Sequence, residues 1–413
     1  MEKYSSYKDS GFAWMGQIPS HWETRRFRFL LAENSLQNTD LKERKQLQFK
    51  YGDIVPKANQ SEDKDVLDTI KKYTVVAPGN IMINGLNLNY DFISQRVAQV
   101  QEPGVITSAY VSLRPLEGAN SKYYTYYMKA MDAQKMFHGM GSGVRLTLSY
   151  DNLKNLFFPY PSPEEQEAIV AYLDAATAKI DEAIAQQQRM IDLLNERKQI
   201  IINEVVTKGL NNQVEFKDSG FNWIGIIPSH WEVKKLKYYI NPSREKSNAN
   251  LPYIGLENIE SHTGKFISTD SVYDISQALL CKKGDVIFGK LRPYLAKAFL
   301  ADSDYCCSSE FVVMRDAPNP EFLLYVLLSG YFVDKVDAST YGAKMPRADI
   351  DYILNLPIAV PPIKEQIEIV AKVKMQFDVI DRMIAPKQKL LDLLQERKQI
   401  IINDVVTGKV KVV

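Results

Sequence analysis

At 413 residues, with 51 Lys+Arg against 50 Asp+Glu, the chain has a formal net charge of +1, which excludes a polybasic tail or an acidic decoy as its working principle. Hydrophobic residues make up 45% and charged residues 24%, the balance of a folded protein with material for about two or three cores rather than of a disordered or fibrous one. Cys281, Cys306 and Cys307 are odd in number and lack CxxC spacing, so neither a disulfide framework nor a zinc site is expected. The N-terminal MEKYSSYKDSGF lacks the apolar core of a signal peptide, and no apolar run reaches the ~18 residues of a membrane span, so a cytoplasmic protein without a membrane partner is expected.

The chain is written twice. KDSGFAWMGQIPSHWE (Lys8 to Glu23) returns as KDSGFNWIGIIPSHWE (Lys217 to Glu232), identical at 13 of 16 positions. DLLNERKQIIINEVVT (Asp192 to Thr207) returns as DLLQERKQIIINDVVT (Asp392 to Thr407), identical at 14 of 16. Between them, Glu165, Gln166, Ile169 and Val170 match Glu365, Gln366, Ile369 and Val370, and Gly79-Asn80-Ile81 resembles Gly284-Asp285-Val286. A period of about 200 residues is too long for a solenoid, so the chain reads as a duplicated domain plus connector. Like ends around unlike middles point to one scaffold carrying two specificities.

In chain order, Arg25, Arg26 and Arg28 alternate with Phe27 and Phe29 directly after the first motif, which suggests a strand with a basic face. Asn84 and Asn87 follow an apolar run in the first middle. Val105 to Leu113 reads as a strand and Lys122 to Phe137 as a helix. Its Tyr123, Tyr124, Tyr126 and Tyr127 resemble a base-stacking platform, but on a helix they are expected to pack inward. The loop GMGSGVR (Gly139 to Arg145) ends on Arg145; glycine allows backbone to approach a phosphate, and a flexible connector is the plain alternative.

The stretch Glu164 to Thr207 places Ile169, Leu173, Ala176, Ile180 and Ala183 at steps of 4, 3, 4 and 3 with no Pro or Gly inside, which predicts a helix with a heptad seam. Ser162 is a candidate cap, and Gly209 ends it. At 1.5 Å per residue such a helix is roughly 66 Å long. A short connector, Lys208 to Val214, then leads to the second copy, so connectivity predicts that the second helix runs back along the first. A seam buried inside one ordinary helical domain is the alternative.

The second copy has Lys234 and Lys235 at the place of the arginines, and GKLRPYLAK with Lys290, Arg292 and Lys297 after an apolar run, as in a phosphate-facing loop or a plain surface turn. Glu310 to Met314 reads as a strand and Glu321 to Val336 as a helix. YGAKMPR, with Lys344 and Arg347, repeats the glycine-bearing loop. The second long helix has its seam at Val373, Phe377, Ile380, Ile384, Lys387, Leu391 and Leu394, but Pro386 is expected to kink it or divide it in two. Residues 1–161 carry a net +4, 162–207 a net −5, 208–362 a net −1 and 363–413 a net +3, so the first globular part is the one more attractive to an extended anion.

No GxxxxGK[ST], HExxH, GxSxG or asparagine-proline-proline-aromatic motif is present. His21 and His230 are repeat equivalents inside IPSHW, and with no partner evident they are expected to be structural, as are His138 and His262.

GxIPSHWE opening each half, GDVIFGKLRPYLAK in the middle, and PxxxEQ leading into a helix that ends LLxERKQ together resemble the specificity subunit of a type I restriction-modification enzyme. The resemblance covers essentially the whole chain. It implies two α/β (α+β) globular target-recognition domains, 1–161 and 210–362, joined by long helices, 162–209 and 363–413, that form an antiparallel coiled coil with a pseudo-two-fold internal repeat. It implies that each domain reads one half of a split double-stranded DNA target. The helices set the spacer and dock two methyltransferase subunits, with restriction subunits joining the complex. Catalysis, with S-adenosylmethionine, ATP and Mg, then belongs to those partners and no cofactor to this chain. The candidate DNA contacts are Arg25, Arg26, Arg28, Asn84, Asn87, Arg145, Lys234, Lys235, Lys290, Arg292, Lys297, Lys344 and Arg347. The halves differ where Gly85-Leu86-Asn87 stands against Lys290-Leu291-Arg292. The rival from another class is a coiled-coil scaffold with two protein-binding domains and no DNA contact.

Overall fold

The computed structural model describes residues 2–412 apart from 13–14, 51, 59, 61–62, 89–94, 142, 144–145, 248–250, 270–276 and 343–344. The chain forms two compact units, Met1–Gln187 with Lys389–Val413, and Gln188–Gln388, so the division falls inside both long helices.

In the first unit, a hairpin (Tyr7–Asp9, Gln17–Pro19) carries the opening motif, and Glu23–Arg26 pairs antiparallel with Phe157–Tyr160, the strand that leads into the first long helix. A four-stranded antiparallel sheet follows in the order Leu31–Glu33, Val111–Pro115, Ile81–Ile83, Val97–Gln99, with two small antiparallel pairs beside it. Its main core joins Trp22, Phe27, Ile81, Leu113, Tyr123, Tyr127 and Phe158 to Ile169 and Leu173 of the first long helix and to Ile401, Ile402, Val405 and Val406 of the second.

The second unit repeats this frame. Phe216–Asp218 pairs with Ile226–Pro228, Glu232–Lys235 pairs with Pro357–Val360, and a four-stranded sheet runs Asn241–Ser243, Phe311–Arg315, Val286–Gly289, Ala298–Leu300. Where the first unit has small pairs, this one has a three-stranded sheet whose Tyr253–Ile254 and Tyr305–Cys307 run parallel. Nearly all described pairing is antiparallel, so the class is α+β. The core again combines the globular part with both helices: Trp231, Phe288, Val312 and Phe322 with Ile202, Val206, Ile369 and Val373.

The long helices are Pro163–Lys208, of 46 residues, and Ile363–Val406, of 44. Ser162 Oγ accepts the Glu165 N–H at 3.3 Å, as its capping role requires. The expectation that Pro386 divides the second helix is corrected: the helix continues through it. A proline removes one backbone hydrogen bond, and Pro386 lies on an exposed side of the helix, while Ile380 and Ile384 anchor the flanking turn. Three further expectations change in detail. Val105 to Leu113 splits into Gly104–Ile106 and Val111–Pro115 around a turn at Thr107. Glu321 to Val336 breaks at Ser329, where the Gly330 N–H donates to Asn203 Oδ1 at 2.7 Å. The alternating arginine run is a strand only to Arg26, after which Phe27–Phe29 turns as a 3₁₀ helix, burying Phe27 and leaving Phe29 exposed.

Inside each unit, the start of one long helix meets the end of the other. In the first unit Lys398 Nζ pairs with Asp181 at 2.6 Å, and in the second Lys198 Nζ pairs with Asp381 at 2.6 Å. These are the same two positions of the repeat with the partners exchanged. Burial acts to raise the Asp381 pKa, yet Lys198 and then Lys265 hold it below the ordinary carboxylate value. The pair is partly exposed, so Asp381→Asn should cost only about 0.5–1 kcal/mol at pH 7 after solvent screening. A depressed folded-state pKa contributes stability above the unfolded value of about 4, and that contribution disappears as the pH falls through the folded value. Denaturation midpoints of parent and variant should therefore converge once the pH has fallen through the folded-state value, where the parent carboxyl is protonated; a gap that persists in strong acid would refute the assignment.

Candidate nucleic-acid interface

Of the basic residues that follow each opening motif, Arg25, Arg26, Lys234 and Lys235 lie on the strand beside the helix entry and Arg28 on the 3₁₀ turn after it, not on the four-stranded sheet. Arg25 stacks 3.5 Å over the Tyr160 ring and bonds Glu23, Arg26 lies 5.4 Å from the Phe157 ring, and Arg28 donates to Asn155 Oδ1 at 3.3 Å. Lys234 pairs with Glu232 at 2.5 Å, and Lys235 is exposed. The Glu232 carboxyl is correspondingly held below its ordinary pKa by Lys234.

The other candidates converge. In the second unit, Val286–Gly289 runs into the loop bearing Lys290, Arg292 and Lys297. The Ala348 N–H donates to the Lys290 carbonyl at 2.9 Å, and the Arg292 N–H donates to the Pro346 carbonyl at 2.7 Å. The strand-end loop is thereby laced to the loop that ends in Arg347. In the first unit the Leu148 N–H donates to the Gly85 carbonyl at 2.9 Å and the Leu88 N–H to the Leu146 carbonyl at 3.2 Å, which laces Asn84 to Leu88 to the same kind of loop. The sequence separates these segments by about 50–60 residues, and the sheet brings them side by side. Arg145 and Lys344, which belong to the glycine-bearing loops, lie outside the described residues.

Within this surface the side chains do different work. Lys290 Nζ donates to the Ser309 carbonyl at 2.7 Å, and Arg347 pairs with Glu310 at 2.7 Å, so both stay on the surface with one neighbour each. Arg292 and Asn87 are exposed. Asn84 is half-buried, and its Oδ1 accepts the Leu86 N–H at 3.3 Å. Lys297 turns inward: its Nζ donates to the carbonyls of Leu256 and Ile259 at 2.6 and 2.9 Å, and burial lowers its pKa. It pins the 256–259 turn and is not a free cation. The tyrosine platform is absent from the surface, since Tyr123, Tyr124 and Tyr127 are buried and their neighbour Tyr126 donates to Asp174 Oδ1 at 2.8 Å.

Sequence reasoning missed two features. Arg96, buried in the first unit, donates through its guanidinium to the carbonyls of Asn84, Leu86 and Asn87 at 2.9, 2.7 and 3.2 Å, and so shapes that loop. A lone arginine in a diverged middle carries no signal of this. The second concerns the histidines, and corrects the expectation that no carboxylate pairs with them. His21 Nε2 lies 3.1 Å from Glu165 Oε2, and His230 Nε2 lies 2.9 Å from Glu365 Oε2. Tyr4 donates to Glu165 at 2.6 Å, and Trp231 Nε1 to Glu365 at 3.0 Å. The co-occurrence of IPSHW and EQ in both halves was the available signal. Among the described residues no His, Cys, Asp and Glu group is placed to hold a metal ion, and no helix is long and apolar enough to cross a membrane.

Each of the two α+β frames presents paired loops at the end of a four-stranded sheet and is built on both long helices. The model of the type I restriction modification DNA specificity domain matches twice, over residues 31–189 and 228–392, and the chain belongs to the type I restriction-modification specificity subunits. It is 26% identical over 331 residues to the type I restriction enzyme MjaVIII specificity subunit of Methanocaldococcus jannaschii, covering 75% of each chain. It is 23% identical to the putative MjaX specificity subunit of the same organism, covering 98% of each. A solved chain from work on complex assembly and conformational transition of the type I R-M system shares the fold at a TM-score of 0.61 and 14% identity, covering 95% of this chain and 99% of that one.

Lys297→Met should lower stability by about 1–3 kcal/mol, because two carbonyls lose a charged donor. It should leave the salt dependence of DNA binding unchanged, since the ammonium faces the protein. A salt slope reduced by one phosphate contact, measured by fluorescence anisotropy, would show that the lysine reaches the duplex.

Proposed function

We propose that this specificity subunit reads a bipartite duplex, one half through each globular part, and contributes no catalytic group. The observation that carries this reading is that two near-identical frames present unlike strand-end loops, which is what one recognition geometry with two targets requires. Phosphate contacts from exposed Lys and Arg give register, and base edges in the major groove give sequence. The reading extends to an antiparallel coiled coil of the two long helices that sets the spacer. Support comes from the exchanged Lys398–Asp181 and Lys198–Asp381 pairs, each within one unit, and from the Lys387–Met190 contact at 3.6 Å. Readers held apart by such a coiled coil would fit half-sites about one helical turn, ~34 Å, apart.

Sequencing of methylated sites in cells carrying the complete operon tests this directly. A split motif is expected, and one heptad inserted into each helix, at 186–194 and 386–394, should lengthen the tolerated spacer while leaving both half-sites intact. An unchanged spacer would defeat the coiled-coil ruler. Salt-independent duplex binding, or none, would favour the scaffold without DNA contact.

Methyltransferase subunits, which would carry S-adenosylmethionine, dock in this reading on the helices, with ATP and Mg belonging to restriction subunits. The supporting feature is an apolar patch present twice. Met190, Leu193 and Ile200 are exposed in the second unit, and their equivalents Leu390, Leu393 and Ile400 in the first, with Leu193 64% and Leu393 52% exposed. Duplicated apolar surface on both units fits one kind of partner bound twice. Leu193→Glu and Leu393→Glu should each reduce the methyltransferase count from two to one in native mass spectrometry, and together to none; two subunits retained on the double variant would place docking elsewhere.

A further inference from the structure

Asn87 and Arg292 stand at the same place in the two units. Each follows a left-handed glycine by eight residues, Gly79 at φ +87° and Gly284 at φ +90°, and each lies just past the inner strand of its four-stranded sheet, Ile81–Ile83 or Val286–Gly289. Each also adopts φ +51°, a conformation uncommon for arginine and one that asparagine tolerates better than other residues with a side chain. The surroundings impose it in both cases: Arg96 holds the Asn87 carbonyl, and the Pro346 carbonyl holds the Arg292 N–H. Backbone strain of this kind persists where the structure over-determines it, and two diverged loops have kept it at equivalent positions. Both side chains are exposed, and neither has a hydrogen-bond partner among the described residues. A glycine would sit in this conformation at no cost at either position, yet each unit presents a side chain with a planar, forked hydrogen-bonding head.

We propose that Asn87 and Arg292 are equivalent base-reading positions, Asn87 taking an adenine in one half-site and Arg292 a guanine in the other. This rests on the bipartite reading given above. An asparagine amide matches the N6 donor and N7 acceptor of adenine in the major groove, and the guanidinium fork matches O6 and N7 of guanine. The left-handed backbone turns a single side chain outward at the tip of a loop that is laced down on both sides. In the second unit Lys290, whose Nζ has one carbonyl partner and further N–H donors, flanks that tip as a phosphate-positioning group. The difference between the two specificities is thereby concentrated, at this position, in one side chain on a shared backbone.

The test uses the complete operon with the full-length chain and reads methylated sites by sequencing. Asn87→Gly and Arg292→Gly remove the side chain while keeping the left-handed backbone accessible, so the loops fold. Arg292→Gly should turn one guanine position in one half-site into any base, with discrimination there falling roughly 10- to 100-fold. Asn87→Gly should do the same to one adenine position in the other half-site. Arg292→Asn should shift the relaxed position from guanine toward adenine. Binding selection by the purified complex from duplexes randomised at that position gives the same readout for a variant with weak methylation. The proposal is overturned if either glycine variant selects the parental motif unaltered at every position, the outcome of a phosphate contact, or if both variants alter the same half-site. A parental operon that methylates no split motif overturns the bipartite reading itself, which is a separate result.

Discussion

A carboxylate at the third residue of each long helix is the point on which each unit is assembled. Glu165 accepts from Tyr4 and meets His21, and Glu365 meets His230 and accepts from Trp231. Position near a helix N-terminus favours the negative charge, and the donors satisfy a group that burial would otherwise make costly. The next residue completes the joint: Gln166 donates to the Gly118 and Pro161 carbonyls and accepts the Asn120 N–H, while Gln366 donates to the Pro361 carbonyl and accepts from Tyr239. The end of the other helix closes the same spot. Gly209 at φ +70° and Gly408 at φ +75° are left-handed, and a Cβ would lie 3.0 Å from Trp231 in one unit and 2.4 Å from Pro19 in the other.

That convergence explains why the chain is alike at the ends of its halves. The opening motif, the EQ pair and the glycine that follows the other helix are far apart in sequence, but in each unit they form one joint, while the LLxERKQ run meets the partner helix farther along through Lys198 or Lys398. Losing the histidine of the opening motif leaves that carboxylate without its partner, and a side chain at the glycine would press on Trp231 in one unit and on Pro19 and Trp22 in the other. The middles face no such demand. The four-stranded sheets keep the same order, whereas the outlying strands differ, two antiparallel pairs in one unit and a three-stranded sheet with a parallel pair in the other. Loops carried on a rigid sheet can then vary in chemistry at little risk to the frame.

Electrostatics within this design are local. The overall charge is close to balanced, and much of the exposed basic character is already engaged by neighbours: Lys234 by Glu232, Arg347 by Glu310, Arg25 by Glu23 and the Tyr160 ring. Affinity for a polyanion has to come from the few cations that remain available along the loops. That suits a subunit whose task is discrimination, since phosphate contacts add affinity without sequence information.

The amino-acid sequence by itself determined the duplication, through identity at a fixed offset, and the two long helices with the glycine, Gly209, that ends the first, because heptads and end signals follow from spacing between near neighbours. Glu165 and His21, 144 residues apart, come together only in the fold, and no local rule pairs them. The same holds for Arg96 beneath the Asn87 loop. Local rules also failed where packing overrode them: Pro386 stays inside a helix because core contacts hold the turns around it, and the arginine run bends after Arg26 because Phe27 is drawn into the core. Which basic residues face outward was likewise a tertiary decision, for Lys290 and Lys297 read alike in one loop until the position of two carbonyls turns the second inward.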